Sequence, residues 1–123
     1  MLKYMLDTNI VVYTIKNRPE KVRDAFKQHT GEMCISPVSL GELIYGAEKS
    51  ARVEANLLVI EGLAARLNVP AYEYHAAMHF GQLRAELARA GKVIGPYDMM
   101  IAGHARSLGL ILVTNKQNEF QRV

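Results

Sequence analysis

An acidic residue follows a short apolar stretch near the start of the chain, and this arrangement limits what the chain can fold into. Leu2–Leu6 has the composition of a buried strand, and Asp7 stands where the apolar run stops. Burying a carboxylate without a partner costs free energy, so an acid at this place needs something that uses its charge. The stretch therefore predicts a core strand whose carboxyl end carries a capping or functional carboxylate.

Two later acids also lie beside apolar elements. Glu42 stands within the stretch Gly41–Gly46, and Asp98 stands within Gly95–Ala102. We expect the rest of the chain to act as a scaffold that brings these two side chains together with Asp7.

Apolar periodicity divides the chain into alternating strands and helices. The predicted strands are Leu2–Leu6, Met33–Ile35 and Leu110–Val113, and a short strand within Asn68–Pro70 stays open. The predicted helices are a short helix or turn over Ile10–Ile15, a helix from Asn17 and Pro19 to Gly31, one capped by Ser36 with Pro37 in its first turn, then Arg52–Arg66, Glu73–Ala90 and one from Asp98 to Gly109.

Strands that alternate with helices predict a parallel sheet with helices on both faces, which is a three-layer α/β/α arrangement. We expect one domain over residues 1–123, because the chain is too short for two ordinary cores. The continuous apolar run Leu110–Val113 is typical of a strand buried on both sides. In such sheets the active crevice lies at the carboxyl ends of the strands, where Asp7, Thr114 and Asn115 fall.

Composition excludes several classes of protein. Half of the residues are hydrophobic and 22% are charged, which argues against disorder. No apolar run approaches the length of a membrane span, and Lys3 and Asp7 interrupt the start too early for a signal peptide. The single cysteine, Cys34, excludes an internal disulfide, suits a reducing cytoplasm and is expected to be a core residue.

The net charge of +3 permits a polyanionic partner without requiring one. The basic residues form two groups along the chain, and most of them are expected on solvated helix faces. These groups are Lys16, Arg18, Lys21, Arg23 and Lys27, and then Arg84, Arg89 and Lys92.

The acids Asp7, Glu42 and Asp98, with Glu119 as a possible fourth, offer only oxygen ligands. Several carboxylates in one pocket repel each other until a cation enters or one of them keeps its proton. Mg²⁺ or Mn²⁺ fits such a set, because these ions take oxygen ligands and keep waters that can act as nucleophiles.

Each acid also has an ordinary structural explanation. Asp7 could cap the turn that follows it, Glu42 could pair with Ser39 in a Ser-x-x-Glu capping box, and Asp98 could be a helix N-cap. Two other functions stay open, namely phosphoryl transfer with Asp7 as a covalent nucleophile, and a binding module without activity. The first lacks a second aspartate two residues later, since Asn9 holds that place.

Other common motifs do not account for the chain. His75 and His79 are one helical turn apart, but no third zinc ligand accompanies them, so a partly exposed helix face is the better interpretation. The sequence contains no glycine-rich phosphate loop and no serine in a nucleophile elbow.

The ordered set of motifs resembles the PIN domain, and within it the VapC toxins of the enterobacterial type. Any one of these motifs is weak, but their order is specific and the likeness covers essentially the whole chain. The stretches that carry it are Met5–Asn9, Glu42–Ser50, Asp98–Ser107, Leu112–Asn115 and Glu119–Phe120.

The resemblance implies a Mg²⁺-dependent endoribonuclease in a three-layer fold, with Mn²⁺ as a substitute ion. It implies a toxin that is blocked by a VapB-type antitoxin, with operator DNA bound only through the complex of the two. Members of this branch cut initiator tRNA in its anticodon stem-loop. We also expect a homodimer, because the apolar stripes of the third and fourth long helices exceed what a chain of this size can bury.

The resemblance also assigns the site residue by residue. Asp7 and Asp98 become metal ligands, and Glu42 binds the ion directly or through water. The residues that line the pocket are Thr8, Asn9, Thr114 and Asn115. Many PIN domains carry an aspartate near Asn115, so Glu119 would supply the fourth carboxylate or the site has three. Relatives usually continue past Val123 into a last short segment.

Overall fold

The chain is organised around three short parallel strands. The computed structural model describes residues 1–17, 20–92 and 94–114, which contain three strands and six helices. The strands are β1 (Tyr4–Leu6), β2 (Met33–Ile35) and β3 (Ile111–Val113). The helices are α1 (Thr8–Asn17), α2 (Glu20–Gln28), α3 (Pro37–Glu48), α4 (Val53–Arg66), α5 (Tyr74–Arg89) and α6 (Pro96–Ser107).

The sheet has β1 at its centre, with the order β2-β1-β3 and every strand parallel. Leu6 is level with Ile35 on one side and with Val113 on the other, so the carboxyl ends of the three strands form one edge. Neighbouring side chains of a strand point to opposite faces. Leu6 and Ile35 accordingly join one core cluster, while Met5 and Cys34 join another.

Helices cover both faces of this sheet, which confirms the predicted three-layer arrangement. On one face, Ile101 of α6 packs against Met5 and Cys34, and α5 lies behind α6. On the other face, Leu43 of α3 and Ile60 of α4 pack in the cluster that contains Leu6, together with α1.

Capping residues set the ends of the helices as the sequence predicted. The hydroxyl of Ser36 accepts a hydrogen bond from the Val38 N–H at 3.2 Å, and Pro37 occupies the first helical position of α3. Beyond α6, Gly109 has φ +68°, a left-handed conformation that glycine adopts at little cost.

Two predictions about the strands need correction, and the structure settles one segment that the sequence left open. The last strand is not buried on both sides, since β3 is an edge strand of the described sheet and Ile111 is 61% exposed. An apolar run cannot reveal which strand takes the centre, and here β1 does so by pairing on both sides. The first strand begins at Tyr4, and the open segment after α4 contributes one bridge, from Asn68 to Cys34.

Cys34 is a core residue, as predicted. Its side chain is fully buried in the middle of β2, and this burial raises the pKa of its thiol to about 11. Among the described residues, none of the helices is both long enough and apolar enough to cross a membrane.

Candidate active site

Asp7 lies at the carboxyl end of β1 and is only 1% exposed. One carboxylate oxygen, Oδ1, accepts a hydrogen bond from the Ile10 N–H at 2.8 Å. The other, Oδ2, accepts from the hydroxyl of Thr114 at 2.5 Å. The backbone N–H of Asp7 also donates to the Val113 carbonyl at 3.1 Å, which continues the pairing of β1 with β3.

This geometry makes Asp7 the N-cap of α1, so the prediction that Asp7 caps the turn after it is correct. A cap requires only one acceptor oxygen, and most caps lie at the surface. Asp7 is buried and uses both oxygens, each of which keeps a further lone pair. The carboxylate is therefore held rigidly and can still bind a cation.

Glu42 reaches the same edge from α3. Its Oε1 accepts a hydrogen bond from the hydroxyl of Thr8 at 2.6 Å, and Thr8 is the residue after Asp7. The proposed capping box is wrong, because Ser36 caps α3 and Ser39 lies inside the helix. The buried hydroxyl of Ser39 is without a hydrogen-bond partner among the described residues.

Asp98 lies in the first turn of α6, but it is not the N-cap. That position belongs to Gly95, and Pro96 begins the helix. A carboxylate in the first turn is still favoured, because the positive end of the helix dipole lies there. The interpretation of Asp98 as a plain N-cap is therefore wrong.

The packing of α6 on the sheet places Asp98 toward the edge that carries Asp7. Ile101 packs against Met5, and a short turn leads from α6 into the parallel strand β3, so α6 runs back against the strand direction. Asp98 is three residues before Ile101 on α6, a shift of about 4.5 Å along the helix. Asp7 is two strand residues after Met5, a shift of about 6.6 Å in the same direction.

The described residues do not by themselves complete a metal centre. Within 1–17, 20–92 and 94–114, no three His, Cys, Asp or Glu side chains form a group that could hold an ion. A site made from Asp7, Glu42 and Asp98 therefore stays a prediction. Asn115 and Glu119 lie outside the described residues.

Sequence reasoning found the acids but missed the hydroxyl groups that hold them. It placed Thr114 at the carboxyl ends of the strands by its position after β3, and it placed Thr8 at the pocket only through the family resemblance. The two bonds join residues 34 and 107 positions apart, and no local pattern signals such contacts. Asn9, which the resemblance also placed there, lies in the first turn of α1.

The remaining candidates occupy the surface. His75 is exposed, and His79 accepts a hydrogen bond from Nε of Arg106 at 2.9 Å, so this pair forms a helix face as predicted. The basic residues Arg84, Arg89 and Lys92 are exposed, and so are Lys16 and Lys27. The side chains of Arg18, Lys21 and Arg23 lie outside the described part of the chain.

Comparison with known proteins identifies the family to which a protein with this fold and these acids at the carboxyl edge of the sheet belongs. The sequence matches the PIN domain over residues 4–123, so the chain belongs to the PIN-domain family. Nucleases of this family generally depend on a divalent metal ion. The family match favours the nuclease interpretation over phosphoryl transfer through a covalent Asp7.

Particular relatives narrow the class further. The chain is 62% identical to the tRNA(fMet)-specific endonuclease VapC of Shigella flexneri and 58% identical to that of Salmonella typhimurium. It is also 54% identical to Ribonuclease VapC2 of Haemophilus influenzae. Each alignment covers 100% of this chain and 93% of the relative.

Solved structures agree with these relatives. The DNA-bound VapBC of Salmonella typhimurium matches with a TM-score of 0.98 at 58% identity, over 100% of this chain and 93% of that one. VapBC2 of Rickettsia felis, bound to a promoter DNA fragment, matches with a TM-score of 0.94 at 35% identity, over 99% and 93%. The predicted PIN fold is confirmed.

Proposed function

We propose that this protein is a divalent-metal-dependent endoribonuclease and the toxin of a toxin–antitoxin pair. Its substrate would be structured RNA, with initiator tRNA cut in the anticodon stem-loop as the first choice, and its place of action the cytoplasm. One observation carries the proposal. Buried Asp7 and the Thr8–Glu42 pair converge with Thr114 at the carboxyl edge of a parallel sheet. The relatives named as tRNA(fMet)-specific endonucleases support the choice of substrate.

The donor set fits Mg²⁺, with Mn²⁺ as a substitute. Asp7 and Asp98 would hold the ion, and Glu42 would bind it directly or through water, since all three offer the oxygen atoms that these ions prefer. Glu119 is the proposed fourth carboxylate. When bound, the ion supplies a Lewis acid that polarises the phosphodiester and a water of lowered pKa.

The protein's own contribution is to fix the acids before substrate arrives. The Ile10 N–H and the Thr114 hydroxyl hold the two oxygens of Asp7, and the Thr8 hydroxyl holds Glu42. Carboxylates fixed in advance would hold the cation without reorganising during hydrolysis, and the cation would stabilise the negative charge that develops on the phosphodiester. We propose that Asn9 and Asn115 line the same pocket against the RNA backbone.

The exposed cations are the proposed contacts for the RNA phosphates. Arg84, Arg89 and Lys92 lie along and just beyond the last turns of α5. Phosphate contacts release counterions, so RNA affinity should fall steeply as salt rises. Neutralising these three residues should reduce that dependence. An unchanged salt slope would move the contact to Lys16 and Lys27.

A second surface supports an inhibitory partner. A cavity of about 460 Å³ begins at Thr8 and Glu42 and continues along the apolar side chains Val12, Val59 and Ile60. A VapB-type antitoxin that filled it would cover the candidate site, and operator DNA would bind through that complex. The VapBC structures bound to DNA support this assembly. If Val59→Asp is inhibited by the antitoxin as strongly as wild type, the cavity is not its contact.

We also propose that the protein forms a homodimer. Helix α5 exposes Tyr74 and Met78, apolar side chains that a second copy would bury. Light scattering of the isolated protein should give twice the mass of the chain, and a monomer at all concentrations would contradict the assignment.

The deciding experiment compares two substitutions that each remove one carboxylate charge. Asn caps helices about as well as Asp, so Asp7→Asn keeps the cap of α1 and loses only the charge. Asp24→Asn, on the exposed face of α2, is the matched control. Each protein is incubated with a pool of structured RNA that contains initiator tRNA, with Mg²⁺ and with EDTA.

We expect wild type and Asp24→Asn to cleave with Mg²⁺ and to stop in EDTA. Asp7→Asn should lose at least about a hundredfold in rate while it stays folded, a size typical for removal of one fixed electrostatic group. Cleavage by Asp7→Asn at the wild-type rate, or cleavage that ignores EDTA, would remove this site from the reaction.

A further inference from the structure

A buried histidine connects two of the helices that carry the candidate acids. His104 lies in the third turn of α6 and is 1% exposed. Its Nδ1 is 3.0 Å from the hydroxyl oxygen of Ser36, and its Nε2 is 3.1 Å from the carbonyl oxygen of Ala71. Both ring nitrogens therefore have partners, which come from two other segments of the chain.

The partners fix the tautomer of the ring. A carbonyl oxygen only accepts, so Nε2 carries the hydrogen and donates it to Ala71. Nδ1 then accepts from the hydroxyl of Ser36. The oxygen of Ser36 in turn accepts from the Val38 N–H, so that the cap of α3 and the histidine share one hydroxyl group. The Val38 N–H, the Ser36 hydroxyl and the Nε2–H of His104 each donate one hydrogen bond in this chain of bonds.

The surroundings of His104 favour the neutral form of its ring. Burial lowers the pKa of His104, and the edge of the Tyr72 ring stands against it, with centroids 5.0 Å apart. A hydrogen on Nδ1 would face Ser36, whose oxygen would then have to accept two bonds and abandon its own donation. The neutral ring is thus the form that these contacts accommodate.

This chain of bonds lies at the same distance from two acids. His104 and Asp98 are six residues apart on α6, and Ser36 and Glu42 are six residues apart on α3. Each separation is about 9 Å along a helix. Residues near Ala71 are tied to β2, because the Ile35 N–H donates to the Asn68 carbonyl at 3.0 Å. The histidine therefore joins α6, the start of α3 and the segment beside β2.

We infer that His104 is a positioning residue, which sets the placement of Glu42 relative to Asp98 by locking α6 to the N-terminus of α3 through Ser36. The inference rests on the proposed function, since it concerns the acids of that site. His104 does not touch the reacting groups, and its effect on them passes through the two helices.

The test needs a readout that a purely structural histidine would leave unchanged. His104→Phe keeps a ring of similar size but leaves Ser36 and Ala71 without their partner, and Ser36→Ala breaks the connection from the other end. Leu87→Val is the control, because it removes buried volume from α5 without contacting Ser36. If His104→Phe does not fold, His104→Gln replaces it, since Gln keeps an amide donor and an acceptor.

Two measurements are made on each folded variant. The first records the side-chain carboxyl ¹³C resonances of Glu42 and Asp98 without metal, with exposed Glu54 as the internal reference. The second measures Mn²⁺ affinity by calorimetry. We expect both resonances to move in His104→Phe and Ser36→Ala, with Mn²⁺ affinity lowered about tenfold, as for other supporting contacts around metal ligands. Leu87→Val should leave the resonance of Glu42 unchanged, because Leu87 packs in a cluster with Met99, beside Asp98, and not with α3.

The outcomes separate this inference from the proposed function. Resonances of Glu42 and Asp98 that stay in place in folded His104→Phe overturn the positioning role, even if wild type binds Mn²⁺. Resonances that move in a protein that never binds Mn²⁺ support the positioning role and overturn the metal-dependent nuclease. In the double variant, the effects of His104→Phe and Ser36→Ala should not add, because both break the same connection. Additive effects would mean that the two residues act on the acids independently, and would also overturn the inference.

Discussion

The two helical layers cover the sheet unequally. Helix α6 buries six of its residues, which pack against the sheet, against α5 and, for His104, against Ser36 and Ala71. Helix α4, in the opposite layer, buries only Ile60, and it leaves Leu58 68% exposed and Val59 47% exposed. Both layers therefore contribute to the core, but the α4 layer also keeps apolar surface that the fold does not use.

This difference separates stability from recognition. Among the described residues, the α4 layer contains cavities of about 420, 450 and 460 Å³, and Ile15 and Val59 line all three. An exposed apolar patch on a folded protein usually marks a binding surface. Substitutions in the α5–α6 layer should therefore change unfolding, and substitutions on α4 should change binding.

The largest expected effect comes from a pair of leucines. Leu83 of α5 is 1% exposed, so Leu83→Ala leaves a cavity and should lower the free energy of unfolding by about 3 kcal/mol. Leu58→Ala removes the same atoms from an exposed side chain, and it should change the free energy of unfolding by less than about 0.5 kcal/mol. Urea denaturation of both variants measures the contrast. Equal losses would mean that α4 is buried as deeply as α5, and the comparison would fail.

Substitution of two glycines should change the free energy of unfolding by smaller amounts, and the two changes should have opposite signs. A Cβ at Gly103 would lie 2.8 Å from the backbone nitrogen of Phe80, so α5 and α6 approach each other too closely for a side chain. Gly103→Ala should cost about 2 kcal/mol, because backbone has to move. Gly62 of α4 has no neighbouring atom within 4 Å, and Gly62→Ala should gain up to about 1 kcal/mol from helix propensity.

Thermal unfolding of the two alanine variants checks this pair. A Gly103→Ala protein as stable as wild type would show that the two helices can separate freely. A Gly62→Ala protein that is destabilised would show that α4 has a close neighbour at that position after all.

The sequence could predict features that depend on near neighbours. Ser36 and Pro37 marked the start of α3, and Gly109 marked the end of α6. The same periodicity predicted an apolar stripe along α4, yet Ile60 is the only buried residue of that helix, because periodicity defines a face without saying what covers it.

The candidate site shows the same limit. Asp7 could be found because an acid ends an apolar strand. The hydroxyl groups of Thr8 and Thr114 and the ring of His104 could not be assigned, because each acts on a residue more than thirty positions away. Such contacts depend on how the layers pack, and the local spacing of residues does not predict that packing.

The smallest expected effect concerns pH and again distinguishes the α6 layer. Since burial lowers the pKa of His104 in the folded protein, the unfolded chain takes up a proton first as the pH falls. Stability should therefore be full above the ordinary histidine pKa of about 6.5 and should decline below it, until the pH reaches the lowered value. One proton gives a slope of at most about 1.4 kcal/mol per pH unit.

Comparison of variants isolates this contribution between pH 5 and 7. Tyr72, the titratable side chain against the ring, stays neutral there because burial raises its pKa, and the other contacts of the ring are not ionisable. His104→Phe should flatten the slope, whereas His75→Phe, at an exposed position of α5, should leave it as in wild type. If both variants keep the wild-type slope, the pKa of His104 does not change on folding, and the buried neutral ring assigned from Ser36 and Ala71 is wrong.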